Sequence, residues 1–159
     1  MAGRFRAIEG YGVLTMSPDP APALDPPATI VYVEDNAVNA TLFEAVLALH
    51  PAWRLRIAVD GAAALALLCE LTPDLLVIDA HLPDIHGVAL LQQVRALHPV
   101  LAQVPAAMFS ADARADHVAA ARAAGFEAYW TKPMNVGEVV SSMRDLLSRR
   151  PRVDEVRAA

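Results

Sequence analysis

The chain has 159 residues, about the size of one domain, and its 18 acidic against 13 basic side chains leave a net charge of −5. A hydrophobic content of 55% excludes a mostly disordered chain, and the acidic balance argues against direct nucleic-acid binding. The single cysteine, Cys69, excludes an internal disulfide and any cysteine-rich metal cluster.

In chain order, residues 1–28 carry five of the twelve prolines and no periodicity, which predicts a flexible Pro-rich leader. A domain is expected over 29–148, opening with Thr29 to Val33, a β-branched run that ends in Glu34 and Asp35 and reads as a buried strand. Val38, Leu42, Ala45, Val46 and Leu49 then recur at helical spacing until Pro51. Trp53 to Val59 predicts a second strand, and Asp60-Gly61 a turn into an Ala- and Leu-rich helix that reaches Leu71. Cys69 on that helix reads as an inert buried thiol. Asp74 to Asp79 is a third buried strand; Leu82 to Gly87 is a loop; Val88, Leu91, Val94 and Leu97 mark the next helix. Val104 to Phe109, ending at Ser110, predicts strand four, and Asp112 to Ala124 an Ala-rich helix with Gly125 as its C-cap. Phe126 to Thr131, before Lys132-Pro133, is strand five, and Val136 to Leu147 the last helix, with Trp130 expected in the core. A polar tail over 149–159 completes the chain. The strands are apolar rather than half polar and alternate with helices, so a doubly wound α/β fold with a five-stranded parallel sheet is expected. The longest apolar run, Ala62 to Cys69, is far short of the about 20 residues a membrane helix needs, and no signal peptide follows Arg4 and Arg6. A cytoplasmic protein without membrane association is expected.

In such sheets ligands bind at the carboxyl ends of the strands. This sequence places Glu34, Asp35, Asp79, Ser110 and Lys132 there. Like charges at roughly 4–5 Å repel by about 3–4 kcal/mol at an effective dielectric near 20, and a hard divalent cation relieves that repulsion. Oxygen-only ligands suit Mg²⁺. A cation, the Lys132 ammonium and the Ser110 hydroxyl around one carboxylate are the parts needed to move a phosphoryl group onto Asp79.

The chain resembles the receiver domain of two-component response regulators. The resemblance rests on Val33-Glu34-Asp35-Asn36, on Asp79 with Leu82-Pro83 and Gly87, on Ser110-Ala111-Asp112-Ala113, on Tyr129, and on Lys132-Pro133. It extends over about Thr29 to Leu147, and is similar to the receivers at the C-termini of hybrid sensor kinases. It implies a flavodoxin-like three-layer sandwich with sheet order 2-1-3-4-5. Asp79 would be the phosphoacceptor, charged by the phosphohistidine of a sensor histidine kinase or a histidine phosphotransfer protein. Asp35, Asp79 and the backbone carbonyl of His81 would hold Mg²⁺, with Glu34 reaching it through water. Ser110 and Lys132 would contact the phosphoryl oxygens, Ser110 and Tyr129 would form a switch pair, and Pro133 would follow a cis bond. With no output domain after Leu147, a stand-alone phosphoacceptor rather than an enzyme is expected, its downstream protein target unnamed and homodimerisation open. His81 and His86 stand where Met or Asn, and an acidic or small residue, are frequent in the family.

Blander readings stand beside these. Acids after strands also cap helices, Ser110 can cap the helix that follows it, and Tyr129 can be a core aromatic. The five histidines show no HxH or HExxH spacing, so no transition-metal site is expected among them. Two rival classes are a flavodoxin-like cofactor binder, disfavoured by the acidic pair where phosphate would sit, and a non-phosphorylated pseudo-receiver that acts as a protein-interaction module.

Overall fold

A computed structural model describes residues 25–149. Residues 1–24 of the expected leader and 150–159 of the expected tail lie outside the described residues. Five strands alternate with five helices: β1 (Ala28–Val33), α1 (Ala37–Leu47), β2 (Trp53–Ala58), α2 (Gly61–Glu70), β3 (Leu75–Asp79), α3 (Gly87–Leu97), β4 (Ala106–Ser110), α4 (Ala115–Ala123), β5 (Ala128–Thr131) and α5 (Val136–Ser148). All strand pairs are parallel, in the order β2-β1-β3-β4-β5.

Alternate residues of the central strands feed two separate cores. Ile30, Tyr32, Leu75, Val77, Ala107 and Phe109 point to the side covered by α1 and α5. Val31, Val33, Leu76, Ile78, Ala106 and Met108 point to the side covered by α2, α3 and α4. Every residue of β3 and β4 is buried, as expected for strands sandwiched between helices. Each fully buried aliphatic side chain there contributes up to about 1.5–3 kcal/mol. The edge strand β2 departs from the expected apolar run, because its Arg54, Arg56 and Ile57 face solvent.

Four local expectations need correction. On α1 the buried residues are Phe43, Val46 and Leu47, whereas Val38, Leu42 and Leu49 are 76%, 49% and 76% exposed. This helix carries two apolar stripes, and periodicity alone does not say which one faces the sheet. Cys69 is exposed; α2 is apolar nearly all round, and the residues it buries are Gly61, Ala64 and Leu68. On α3, Leu97 is exposed and Leu90 takes its place in the core. The fourth helix starts at Ala115, not Asp112, because the Asp112 carboxylate accepts a hydrogen bond from the Arg114 amide (2.9 Å) and makes a turn there. Ser110 therefore does not cap it.

The domain also begins earlier than expected. Asp25 accepts hydrogen bonds from Arg144 Nε (2.7 Å) on α5 and pairs with His50 Nδ1 (2.8 Å) after α1, so residues 25–28 belong to the folded body.

Candidate functional site

Parallel strands all end on one edge, and the polar residues that follow β1, β3, β4 and β5 meet there. β1 ends at Val33, and Asn36 caps α1 by accepting from the Val38 and Asn39 amides (2.9 and 3.3 Å). That sharp exit leaves Glu34 1% exposed and Asp35 exposed beside it. The inward carboxylate of Glu34 accepts from the Tyr32 hydroxyl (2.8 Å), the Asn36 amide (3.1 Å) and Lys132 Nζ (2.8 Å).

Asp79 closes β3 and is 5% exposed. Its Oδ1 accepts from the His81 amide (2.8 Å), and its Oδ2 contacts Lys132 Nζ. The loop beyond it is held tightly: the Gly87 amide donates to the Ala80 carbonyl (3.0 Å), and a Cβ on Gly87 would stand 2.6 Å from the Asp79 carbonyl oxygen. Only glycine permits that approach. Farther along the loop, Asp84 accepts from the Gly61 and Ala62 amides (both 2.9 Å), which fastens it to the first turn of α2.

Ser110 ends β4 and is 1% exposed; its Oγ accepts from the Asp112 amide (3.1 Å). Lys132 leaves β5 with its amide bonded to the Ser110 carbonyl (2.8 Å), and the Lys132–Pro133 peptide is cis. A cleft of about 80 Å³ opens beside Lys132, lined by Asn39, Leu42, Phe109 and Met134 among others. Tyr129 on β5 packs on the α2–α3–α4 side, and its hydroxyl donates to the Asp112 carbonyl.

Carboxylate oxygens of Glu34, Asp35 and Asp79 all lie within 4.8 Å of one another. One ammonium, that of Lys132, meets two of them, Glu34 and Asp79. Burial pushes the Asp79 carboxyl up and the Glu34 charge adds to it, and the bonds from Lys132 and His81 only partly offset this, so Asp79 sits above its ordinary value. Burial pushes Glu34 up as well, but bonds from Lys132, Tyr32 and the Asn36 amide outweigh it and hold it below. Burial would lower Lys132, yet its bonds to Asp79 and Glu34 hold it above its ordinary value. The hydroxyl of Tyr32 is pushed up strongly, by burial first and then by Glu34.

The structure thus brings Glu34, Asp35, Asp79 and Lys132 into one cluster, places Ser110 at the end of the neighbouring strand, and joins Ser110 to Tyr129 through Asp112. Sequence reasoning missed Tyr32 as the partner of Glu34. The signal was present, since residues two apart on a strand share a face.

A family model described as the response regulator receiver domain matches residues 30–144. The chain belongs to the receiver domains of response regulators. This receiver is 36% identical over 124 residues to the probable transcriptional regulatory protein TcrX of Mycobacterium tuberculosis, which covers 77% of this chain and 51% of that protein. It spans about half the length of the curated relatives it matches first. Among solved structures, a putative response regulator from Chloroflexus aurantiacus is 32% identical with a TM-score of 0.72, covering 77% of this chain and 99% of that one. The receiver domain of the sensor histidine kinase PA1611 from Pseudomonas aeruginosa, solved with magnesium coordinated in its active-site cleft, is 26% identical with a TM-score of 0.69, covering 76% and 98%. The family is that of two-component signalling. Among the described residues no helix is long and apolar enough to cross a membrane.

Proposed function

We propose that Asp79 accepts a phosphoryl group from the phosphohistidine of a sensor histidine kinase or a histidine phosphotransfer protein. The observation that carries this reading is the convergence of the Glu34, Asp35 and Asp79 carboxylates within 4.8 Å at the carboxyl edge of the sheet, with the Lys132 ammonium on Glu34 and Asp79. An Asp79 carboxylate oxygen bonds to phosphorus while the bond from phosphorus to the donor imidazole nitrogen breaks, and the imidazole leaves with that electron pair. An ionised carboxylate needs no general base for this step.

The donor set is all oxygen and carries excess negative charge, which fits Mg²⁺. Asp35, Asp79 and the His81 carbonyl would hold the ion directly and Glu34 through water. When bound it supplies positive charge that offsets the carboxylates and the arriving phosphoryl oxygens. Lys132, already bonded to Glu34 and Asp79, and Ser110 would meet those oxygens. If the Ser110 hydroxyl turns to the phosphoryl group it releases the Asp112 amide, and Tyr129 loses the placement of its acceptor. The face formed by α4, β5 and α5 then changes packing, and a partner preferring one packing reads the state. On this reading the chain is a cytoplasmic acceptor and relay without turnover of its own. It contacts proteins rather than nucleic acid or membrane.

Labelling with acetyl phosphate tests the proposal. Wild type with Mg²⁺ takes up one phosphoryl group; Asp79→Asn and EDTA-treated wild type take up none. Full labelling of Asp79→Asn at another residue overturns the assignment. For the switch, amide exchange over residues 110–147 should change on adding beryllofluoride to wild type and be blunted in Ser110→Ala. Equal changes in both proteins would overturn the Ser110 switch, and no change in wild type would place the output on another face.

A further inference from the structure

His81 and His86 stand at the two ends of the loop between β3 and α3, and the fold brings them face to face. They form an isolated antiparallel bridge pair, one residue inside the Gly87-to-Ala80 hydrogen bond (3.0 Å). Their rings meet edge to face, with centroids 5.6 Å apart and planes at 78°. Both side chains are exposed, and neither ring takes part in a hydrogen bond or ion pair among the described residues. His86 precedes α3 in the capping position but makes no side-chain capping bond, so its ring is not engaged there.

Two imidazoles on one tetrahedral ion, each at about 2.0–2.1 Å through nitrogen, place their ring centroids about 5 Å apart. The observed centroid separation of 5.6 Å is close to that value. The backbone beneath is already fixed by Asp84 on the α2 amides and by the contact of Gly87 with the Asp79 carbonyl. Little beyond side-chain freedom is therefore lost on binding. We propose that His81 and His86 form a two-imidazole site for a borderline first-row transition-metal ion, Zn²⁺ or Cu²⁺, which clips together the ends of the loop after Asp79. The remaining positions on the ion are filled by water. Imidazole binds these ions far better than Mg²⁺, whereas the all-oxygen carboxylate cluster suits Mg²⁺, so two sites of different ligand chemistry flank one loop. Sequence spacing hid the pair, because a tight loop, not a helix or a strand, makes residues five apart neighbours.

The site does not rest on the phosphoacceptor reading, and its test uses no phosphoryl group. Zn²⁺ is titrated calorimetrically into the full chain in excess Mg²⁺, which occupies the carboxylates. Wild type binds one Zn²⁺; His81→Ala and His86→Ala each weaken binding roughly tenfold or more, because the second imidazole acts at high effective concentration. His98→Ala and His117→Ala bind as wild type. Electron paramagnetic resonance of the wild-type Cu²⁺ complex counts ligands without any variant, and two nitrogen couplings are expected, both reduced to one in His86→Ala. Wild-type affinity in His86→Ala, or a single nitrogen in the wild-type spectrum, overturns the site. Amide exchange over residues 80–87 slows with Zn²⁺ if the loop is clipped, and unchanged exchange overturns the clip.

Discussion

At the amino end of the sheet, Asp25 divides one carboxylate between Arg144 Nε (2.7 Å), the Arg144 terminal nitrogen (3.3 Å) and His50 (2.8 Å). Trp53 lies against the His50 ring (4.6 Å between centroids) and under the Arg144 guanidinium (5.9 Å). Nearby, the Thr29 amide donates to Asp74 (2.6 Å). At the carboxyl end, three carboxylates converge, and the ammonium of Lys132 meets two of them, Glu34 and Asp79. The first end matches its acid with Arg144 and His50 and fastens the chain. The second keeps an excess of negative charge that its own residues do not neutralise, so a cation and a phosphoryl group have something to act on. Stability and responsiveness are thus separated along the strand direction, about one strand length apart.

The largest test of this contrast is mechanical. Gly87→Ala forces a Cβ to 2.6 Å from the Asp79 carbonyl oxygen and 3.2 Å from Ala80 Cα, both backbone atoms that cannot swing away. A loss of about 2–3 kcal/mol in urea unfolding is expected, with labelling of Asp79 impaired in the protein that still folds. At the opposite end, Asp25→Ala should lower stability by about 1 kcal/mol, modest because Arg144 is half exposed. The bond from Arg144 holds the Asp25 carboxyl below its ordinary 3.8. Its contribution is therefore complete above that pH and lost as pH falls through its lower folded value, so wild type and variant should converge in strong acid.

Asp79→Asn should act with the opposite sign. Burial holds the Asp79 carboxyl above 3.8, so its ionisation disfavours the fold; that effect is absent below 3.8 and develops as pH rises through the folded value. The variant should gain about 1 kcal/mol at neutral pH and nothing at pH 3. Asp35→Ala should have the smallest effect, a rise in apo Tm of about 1–2 °C, together with weaker stabilisation by Mg²⁺. A clear fall in Tm would mark Asp35 as a structural residue and erase the contrast between the ends.

Much of this was legible in the sequence because strand chemistry is local. Short β-branched and aliphatic runs ending in Glu34, Asp79, Ser110 and Lys132 declare both the strand and the edge on which the polar residue falls. Helix faces were less legible. On α1, Val38, Leu42, Ala45 and Leu49 have a spacing as regular as that of Phe43, Val46 and Leu47, and only packing against β1 and β2 chooses between them. Cys69 was misplaced for the same reason, one residue past the buried Leu68 on a helix apolar all round. The hydrogen bond from Tyr32 to Glu34 and the meeting of His81 with His86 depend on how the chain turns between elements, and neither leaves a periodic trace.

Asp112 shows what kind of information such turns carry. It meets Ser110 through its amide and Tyr129 through its carbonyl, so both links are made by main-chain atoms. Every residue except proline could supply the same two groups. Alanine at position 112 keeps both links and removes only the carboxylate's bonds to Arg114 and His117, so it tests the turn and not the links themselves. The wiring becomes visible only to changes in the peptide group itself: an amide-to-ester replacement at 112, which deletes the donor to Ser110 and weakens no side chain, or proline at the same position.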